Sequence, residues 1–217
     1  MTIMQAFAFR GNLTYVFGTA GSFSNIAPPQ YNRITVEAIG GGGGGFGITT
    51  TTARAGGGGG AYARTSGLTV VGGTTVVNIL VGTTRANSWV NITANSQPTA
   101  TTSGCSAGFG GNAASSVAGL AGNLAFSVGT ITFAGGAGGV GTSAVGGGGA
   151  GFNGNASLQV AGTDTSTISP YLLMGGGTGG AQLAPGVSPG GGGGSDTKNG
   201  IVQPGAPGRV RITYWTA

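Results

Sequence analysis

Residues 33–61 read RITVEAIGGGGGGFGITTTTARAGGGGGA, and this stretch decides the fold class of the chain. Apolar and polar side chains alternate through RITVEAI, which is the period-two pattern of a half-buried β-strand. The strand runs directly into six glycines, residues 40–45, and a loop then leads to five more, residues 56–60. The Val, Ile, Thr and aromatic residues between the glycine runs prefer strands, so an ordered β protein is favoured over a flexible linker.

Further strands are predicted on both sides of this stretch. Apolar residues alternate through residues 5–17 around Arg10-Gly11-Asn12, which predicts an N-terminal hairpin. Residues 61–71 and 74–82 are predicted to be two strands joined by a tight turn at Gly72-Gly73. No segment has the pattern of an α-helix.

In the middle of the chain, the sequence predicts shorter strands and a loop. Residues 89–92 indicate one short strand, and the alternating apolar residues of 124–133 indicate a further hairpin. The segment around Cys105 and Phe109 is predicted to be a loop.

The chain ends in GRVRITYW, which has the same alternation as RITVEAI. We expect these two strands to pair, with Glu37 near Arg211 or Arg209, and so to close the domain end to end.

The glycine runs allow two structures. There are 52 glycines, and the longest runs are residues 40–45, 56–60, 146–149, 175–177 and 190–194. Extended glycine helices with three residues per turn could pack side by side and pair their backbones. Alternatively, the runs could be partly mobile loops on a β-sandwich, because glycine is the residue that loses most entropy on ordering. The favoured fold is therefore all-β, a small antiparallel β-sandwich-like domain with glycine-rich segments that pack as polyglycine II helices.

We predict one glycine-rich β domain over residues 1–217. Its parts are an N-terminal hairpin or attachment segment (1–30), strands with glycine runs (31–133), glycine-rich loops or polyglycine helices (134–208) and a closing strand (209–217).

Composition argues against an enzyme. The chain has no histidine, which excludes Ser-His-Asp and Cys-His arrangements. Its acids are Glu37, Asp164 and Asp196, too far apart in sequence to suggest a paired-carboxylate site. The one lysine, Lys198, lies in SDTKNG and not in the GKS or GKT sequence that a phosphate-binding loop requires. We therefore expect no catalytic residues, no metal and no cofactor.

The charge, the cysteine content and the hydrophobic pattern exclude several kinds of partner and cross-link. The net charge is +5, but the arginines are spread along the chain, which argues against nucleic-acid binding. The single cysteine, Cys105, excludes an intrachain disulfide and is predicted to be a small buried residue. No stretch is long and apolar enough to predict membrane insertion, and residues 1–12 lack the features of a signal peptide.

The order of these segments resembles a known family. The motifs are ITVEAIGGGGGG, then GGGGGAYAR, then LTVVGGTTVVNILVG, and finally PGAPGRVRITYW after a glycine-rich middle. This order is similar to the glycine-rich domain of bacteriophage tail fibre and tail tip proteins, and the resemblance covers about residues 13–215.

The resemblance implies a virion protein assembled in the host cytoplasm and involved in receptor recognition and adsorption. Related adhesins hold packed polyglycine helices and present loops to bacterial receptors. The implied partners are further copies of the chain, with a trimer favoured, other tail or capsid proteins, and a bacterial surface protein or polysaccharide. Two alternatives stay open: a head fibre, capsid decoration or baseplate-associated protein without receptor binding, and a glycine-rich antifreeze or cell-wall protein.

No binding residue follows from the family motif, so candidates come from side-chain chemistry. Aromatic rings offer large contact areas at low entropy cost and stack against sugars. The candidate receptor-binding residues are Phe46, Trp89, Phe109, Phe152 and Tyr171.

Overall fold

The computed structural model describes residues 4–9, 11–47, 54–114, 116–141, 144–161, 174–195 and 202–217. These residues form an all-β protein with three antiparallel sheets and no α-helix among them. The strands are β1 (Met4–Phe9), β2 (Asn12–Phe17), β3 (Gly21–Ile26), β4 (Arg33–Ile39), β5 (Phe46–Gly47), β6 (Arg54–Ala55), β7 (Tyr62–Thr69), β8 (Val76–Val81), β9 (Ser88–Asn91), β10 (Gly104–Ala107), β11 (Ile131–Phe133) and β12 (Arg209–Trp215).

The six-stranded sheet has the order β1-β2-β12-β4-β7-β11. The predicted N-terminal hairpin is confirmed as β1 and β2, with Gly11 in the left-handed region at a φ of 79°. Arg10, the first residue of its predicted turn, lies outside the described residues. The predicted pairing of the first long strand with the last is also confirmed, because β12 lies between β2 and β4 and places Arg211 opposite Glu37.

The four-stranded sheet has the order β10-β9-β8-β3 and faces the larger sheet. The core between them combines alternate residues of both sheets, among them Ile34, Val36, Val77 and Ile79. Cys105 is buried in this core, as predicted, and burial raises the pKa of its thiol. A β-sandwich is therefore the foundation of the fold.

The turn at Gly72-Gly73 does not join a hairpin. The strands on either side of it were predicted correctly, but β7 belongs to the six-stranded sheet and β8 to the four-stranded one. The buried side chain of Val70 and the hydrogen bond from Gly73 N to Ala27 O (2.6 Å) carry the chain across from one sheet to the other. The same turn residues serve a crossing between sheets as well as a hairpin.

Two further predictions of local structure were wrong. The segment predicted as a loop around Cys105 contains β10, which pairs with β9, the strand predicted at residues 89–92. The hairpin predicted over residues 124–133 does not form, because residues 124–126 make a 3-10 turn and β11 pairs with β7. Asn123 accepts a hydrogen bond from Ala125 N (2.8 Å) through its side chain and so caps that turn.

The strand β3 was not predicted. Its sequence, GSFSNI, is rich in serine and asparagine, and it lies at the edge of its sheet, where polar residues are tolerated.

Candidate functional site

The glycine-rich segments form an ordered array of extended runs on one end of the sandwich, and this array is the candidate functional scaffold. In chain order its ten runs are residues 40–45, 56–61, 108–113, 118–122, 135–140, 145–150, 175–180, 184–187, 190–195 and 202–207, called here runs 1 to 10.

Run 2 shows the period of these segments most clearly. Its six amides donate in rotation to three neighbouring runs, with every N–O distance at 2.8 Å. Gly56 and Gly59 donate to run 5, and the residues that follow them, Gly57 and Gly60, donate to run 9. Gly58 and Ala61 donate to run 3. A partner that returns every third residue is the signature of an extended helix with three residues per turn.

The carbonyl groups of run 2 are paired in the same way. They accept from runs 4, 6 and 1, again in rotation, at N–O distances of 2.7 to 3.0 Å. Run 2 is therefore surrounded by six runs, and all its N–H and C=O groups are satisfied within the array. This pairing meets the requirement that buried backbone groups be hydrogen-bonded.

The remaining bonds extend this arrangement to all ten runs. Run 9 exchanges backbone hydrogen bonds with runs 1, 2, 6, 7, 8 and 10, so it is a second fully surrounded run. The pairings define three rows: runs 3, 1 and 10, then runs 4, 2, 9 and 8, then runs 5, 6 and 7. The packed polyglycine alternative is therefore the one that the structure adopts.

Only glycine fits at the centre of the array. A Cβ atom added at Gly57 would lie closer than 3.0 Å to the backbone of Gly43, and one added at Gly59 would clash likewise with Gly148. Both contacts are with backbone that other runs hold in place. The absence of side chains allows the runs to approach closely enough for their backbones to pair, as in the collagen helix.

Successive runs alternate in direction, so the turns that join them lie at two opposite ends of the array. Run 1 continues β4, run 2 leads into β7, and run 10 leads into β12, which places these ends against the sandwich. The opposite end, called here the distal tip, holds five turns. They span residues 46–55, 113–118, 140–145, 181–184 and 195–202, of which residues 48–53, 115, 142–143 and 196–201 lie outside the described part.

Backbone contacts tie the turns of the distal tip to one another. Gly141 N donates to Arg54 O (3.1 Å), and Leu183 N donates to Ser195 O (2.8 Å). Ser195 N in turn donates to Ala144 O (3.0 Å). These bonds join four of the five turns to one another, and the turn at residues 113–118 is closed by bonds between Ala114 and Val117.

The distal tip presents aliphatic side chains to solvent. Val117, Val140, Leu183 and Val202 are exposed, and Phe46 is half-buried. An exposed group of apolar side chains on a rigid support can bury its area against a partner surface.

A buried ionic cluster lies on the outer face of the six-stranded sheet. Glu37, only 2% exposed, accepts from Arg211 Nε (2.6 Å) and Arg211 Nη2 (2.8 Å), and Tyr62 donates its hydroxyl to Glu37 Oε1 (2.7 Å). Burial first, and then the charge of Glu37, raises the pKa of Tyr62 well above its usual value. The bidentate pair with a third donor satisfies the buried carboxylate, so this cluster is a structural element of the sheet.

The predicted site residues do not come together. Phe46 lies at the distal tip, whereas Trp89 is buried in β9. Phe109 is the second residue of run 3, at the sandwich end, where its N–H donates to Asn87 Oδ1 (3.1 Å). Phe152 also lies at the sandwich end, and Tyr171 lies outside the described residues.

Phe152 has identifiable packing partners. Its ring makes an edge contact with Tyr62 at 6.3 Å between centroids, and the guanidinium carbon of Arg64 lies 5.0 Å from its centre. This residue covers the outer face of the six-stranded sheet together with Ala150 and Met174.

The aliphatic residues of the distal tip were missed because the choice of candidates rested on aromatic chemistry. The available signal was position: Val117 and Leu183 each stand in a short interval between glycine-rich runs, and Val140 ends run 5 directly before such an interval. Such intervals are the places where an alternating array must turn.

The described residues contain no group of three or more His, Cys, Asp or Glu side chains that could hold a metal ion. Within the same part of the chain, no helix is long and apolar enough to cross a membrane.

Comparison with known proteins identifies the family. A family model described as a glycine-rich domain matches residues 18–215, which is most of the chain. No curated protein matches the sequence. The chain therefore belongs to this glycine-rich domain family, which confirms the glycine-rich domain that the order of its segments indicated.

Proposed function

We propose that this glycine-rich domain protein is a non-enzymatic virion component at the host-facing end of a phage tail fibre or tail tip. In this proposal its distal tip contacts a receptor on the bacterial surface, either a protein or a polysaccharide. The observation that carries the proposal is the array of ten runs, which holds five turns together at the end away from the sandwich.

The physical argument rests on preorganisation. A loop that is ordered only on binding loses conformational entropy at that step, and this loss lowers affinity. The turns at the distal tip are anchored by runs whose backbone groups are paired on several sides, and four of the turns also bond to one another. Such a support suits recognition by many small turns, whose sequences can vary without changing the array.

The virion assignment rests on the resemblance to the glycine-rich domain of phage tail proteins. The non-enzymatic assignment is supported by the missing histidine and by the one acid among the described residues, Glu37, which is buried in an ion pair. Attachment to other tail or capsid proteins belongs to the same proposal.

Binding to cells tests the role of the distal tip. We expect labelled wild-type protein to bind cells of the bacterial host saturably, and Val140→Asp to weaken binding at least about tenfold, because it places a charge in an apolar contact. Val71→Asp is the matched control: Val71 is 63% exposed and Val140 60%, but Val71 lies beyond β7, at the end of the sandwich away from the array.

Equal binding by wild type and Val140→Asp would contradict recognition through the tip. Antibody labelling of virions tests the location separately. Label at the end of the tail is expected, whereas label confined to the capsid would support a decoration protein or head fibre instead.

A further inference from the structure

Run 4 lies at the end of the middle row of the array and has runs on one side only. Gly119 and Gly122 donate inward to run 2, to the oxygens of Gly56 and Gly59. Their positions are buried, whereas Leu120, between them, is exposed. The three-residue period of the run therefore turns one position in three away from the array.

The outward position of run 4 begins an apolar strip that continues along the chain. Leu120 is 76% exposed, and Leu124 and Phe126 are exposed in the 3-10 turn that follows, which buries none of its residues. We call Leu120, Leu124 and Phe126 the lateral strip. It is separate from the distal tip, because it runs along the side of the array toward the sandwich.

The lateral strip lies in a part of the chain without charge. No Asp, Glu, Lys or Arg occurs between Arg85 and Asp164, although soluble surfaces usually carry about 25–35% charged residues. Large apolar side chains on an uncharged surface mark a site of association rather than a solvated face.

We propose that copies of this chain associate with one another through the lateral strip. Each copy carries a net charge of +5, so most faces of two copies repel. The lateral strip itself carries no arginine, so two copies that meet there do not bring charges of the strip together. Interfaces between identical subunits are apolar at the centre and depleted in charge, and a two-fold interface uses the same patch on both subunits.

The test is the mass of the full-length protein in solution, measured by sedimentation over a range of concentrations. Wild type should form an oligomer, and Leu120→Lys should raise the dissociation constant at least about thirtyfold, because it places a charge in the apolar contact. Phe126→Lys should act in the same direction. Val71→Lys, at a position of comparable exposure outside the strip, should keep the wild-type association.

Salt provides a second readout that a charge-mediated contact would not share. Raising the salt to about 0.5 M screens the repulsion between copies, so association through the strip should become tighter. Thermal melting of each variant checks that the fold is intact.

Three results would overturn the proposal. They are a wild type that stays monomeric up to about 1 mM, the limit of weak specific association, a folded Leu120→Lys variant with the wild-type mass, and association that salt weakens.

Discussion

At the scale of single residues, the contact between Glu37 and Arg211 shows how far pattern alone can reach. The alternation in β4 and β12 predicts which residues share a face, and pairing the first long strand with the last brings Glu37 to Arg211 or Arg209. The structure places Arg211 directly opposite Glu37, and Arg209 opposite Ile39. The register was therefore predictable to within one alternation.

The burial of this contact was not predictable from the same pattern. The alternation predicts a solvated outer face for β4, but Glu37 and Ile39 are both buried. The cover comes partly from Ala150 and Met174, more than a hundred residues along the chain. A period of two within one strand carries no information about elements so distant that pack over it.

Removing the hydroxyl group from either of two buried tyrosines should change the free energy of unfolding in opposite directions. Tyr62 donates to Glu37, so Tyr62→Phe should lower the free energy of unfolding at pH 7 by about 1.5–3 kcal/mol, the value of a hydrogen bond to a charged group. The hydroxyl of Tyr214 is buried and has no hydrogen-bond partner among the described residues. Tyr214→Phe should therefore stabilise the protein by about 1 kcal/mol. Urea denaturation at pH 7 measures both.

The raised pKa values of the same two tyrosines lead us to expect that the protein loses stability at alkaline pH. Burial raises the pKa of both hydroxyls, helped by Glu37 at Tyr62 and by Tyr15 at Tyr214. Their contribution is fully present below the unfolded value of about 10 and is lost as the pH rises toward the folded values, because the unfolded chain then releases protons that the folded chain retains. Between about pH 10 and 11.5, each Phe variant should lose stability less steeply than wild type. Equal slopes for wild type and Tyr214→Phe would contradict this account.

At the scale of elements, the sequence reveals the long glycine runs but not the full array. Run 1 is unbroken glycine and run 2 is glycine up to Ala61, whereas runs 3 and 4 contain alanine, asparagine, leucine or phenylalanine and were not predicted as members. Their side chains are accommodated because a three-residue period points some positions away from neighbouring runs. Counting glycine therefore finds the centre of the array and misses runs 3 and 4 at its edge.

Substitutions in run 2 test the close approach of the runs. Gly57→Ala would place a Cβ against the backbone of Gly43, in a run that is itself held by neighbours, and should cost at least about 3 kcal/mol of unfolding free energy. The control is Gly18→Ala, which meets nothing within 4 Å and should change stability by less than about 0.5 kcal/mol. Chemical denaturation of the two variants measures the difference. Similar stabilities would mean that the runs are not packed at these distances.

The long strands themselves were predictable from the sequence, but part of their pairing was not. Long alternating strands such as β4, β7 and β12 were predicted, because one face of each enters the core. Their partners were harder to assign, as the turn at Gly72-Gly73 shows: the chain crosses between sheets there without pairing β7 and β8. Turn residues report a change of direction, and only tertiary packing decides where the next strand goes.

At the scale of the whole molecule, the sandwich and the array stabilise the chain in different ways. The sandwich buries apolar side chains, whereas the centre of the array has almost none and depends on backbone hydrogen bonds between runs. Ordering glycine costs more entropy than ordering any other residue, so an isolated run would not hold its shape. The runs are ordered only as a set, and the strands of the sandwich fix the ends of runs 1, 2, 3 and 10.

Hydrogen exchange measures this interdependence across the molecule. The amides of runs 2 and 9 are paired on all sides, so they should open only when the protein unfolds globally, and their exchange should be slowed about 10³-fold or more. Exposed positions at the distal tip, such as Val140, should exchange much faster. Because every run depends on its neighbours, the protection of Gly57 and Gly192 should fall together in the Gly57→Ala variant. Rapid exchange throughout both runs in the wild type would show that the array is mobile and would remove the rigid support on which recognition by the tip depends.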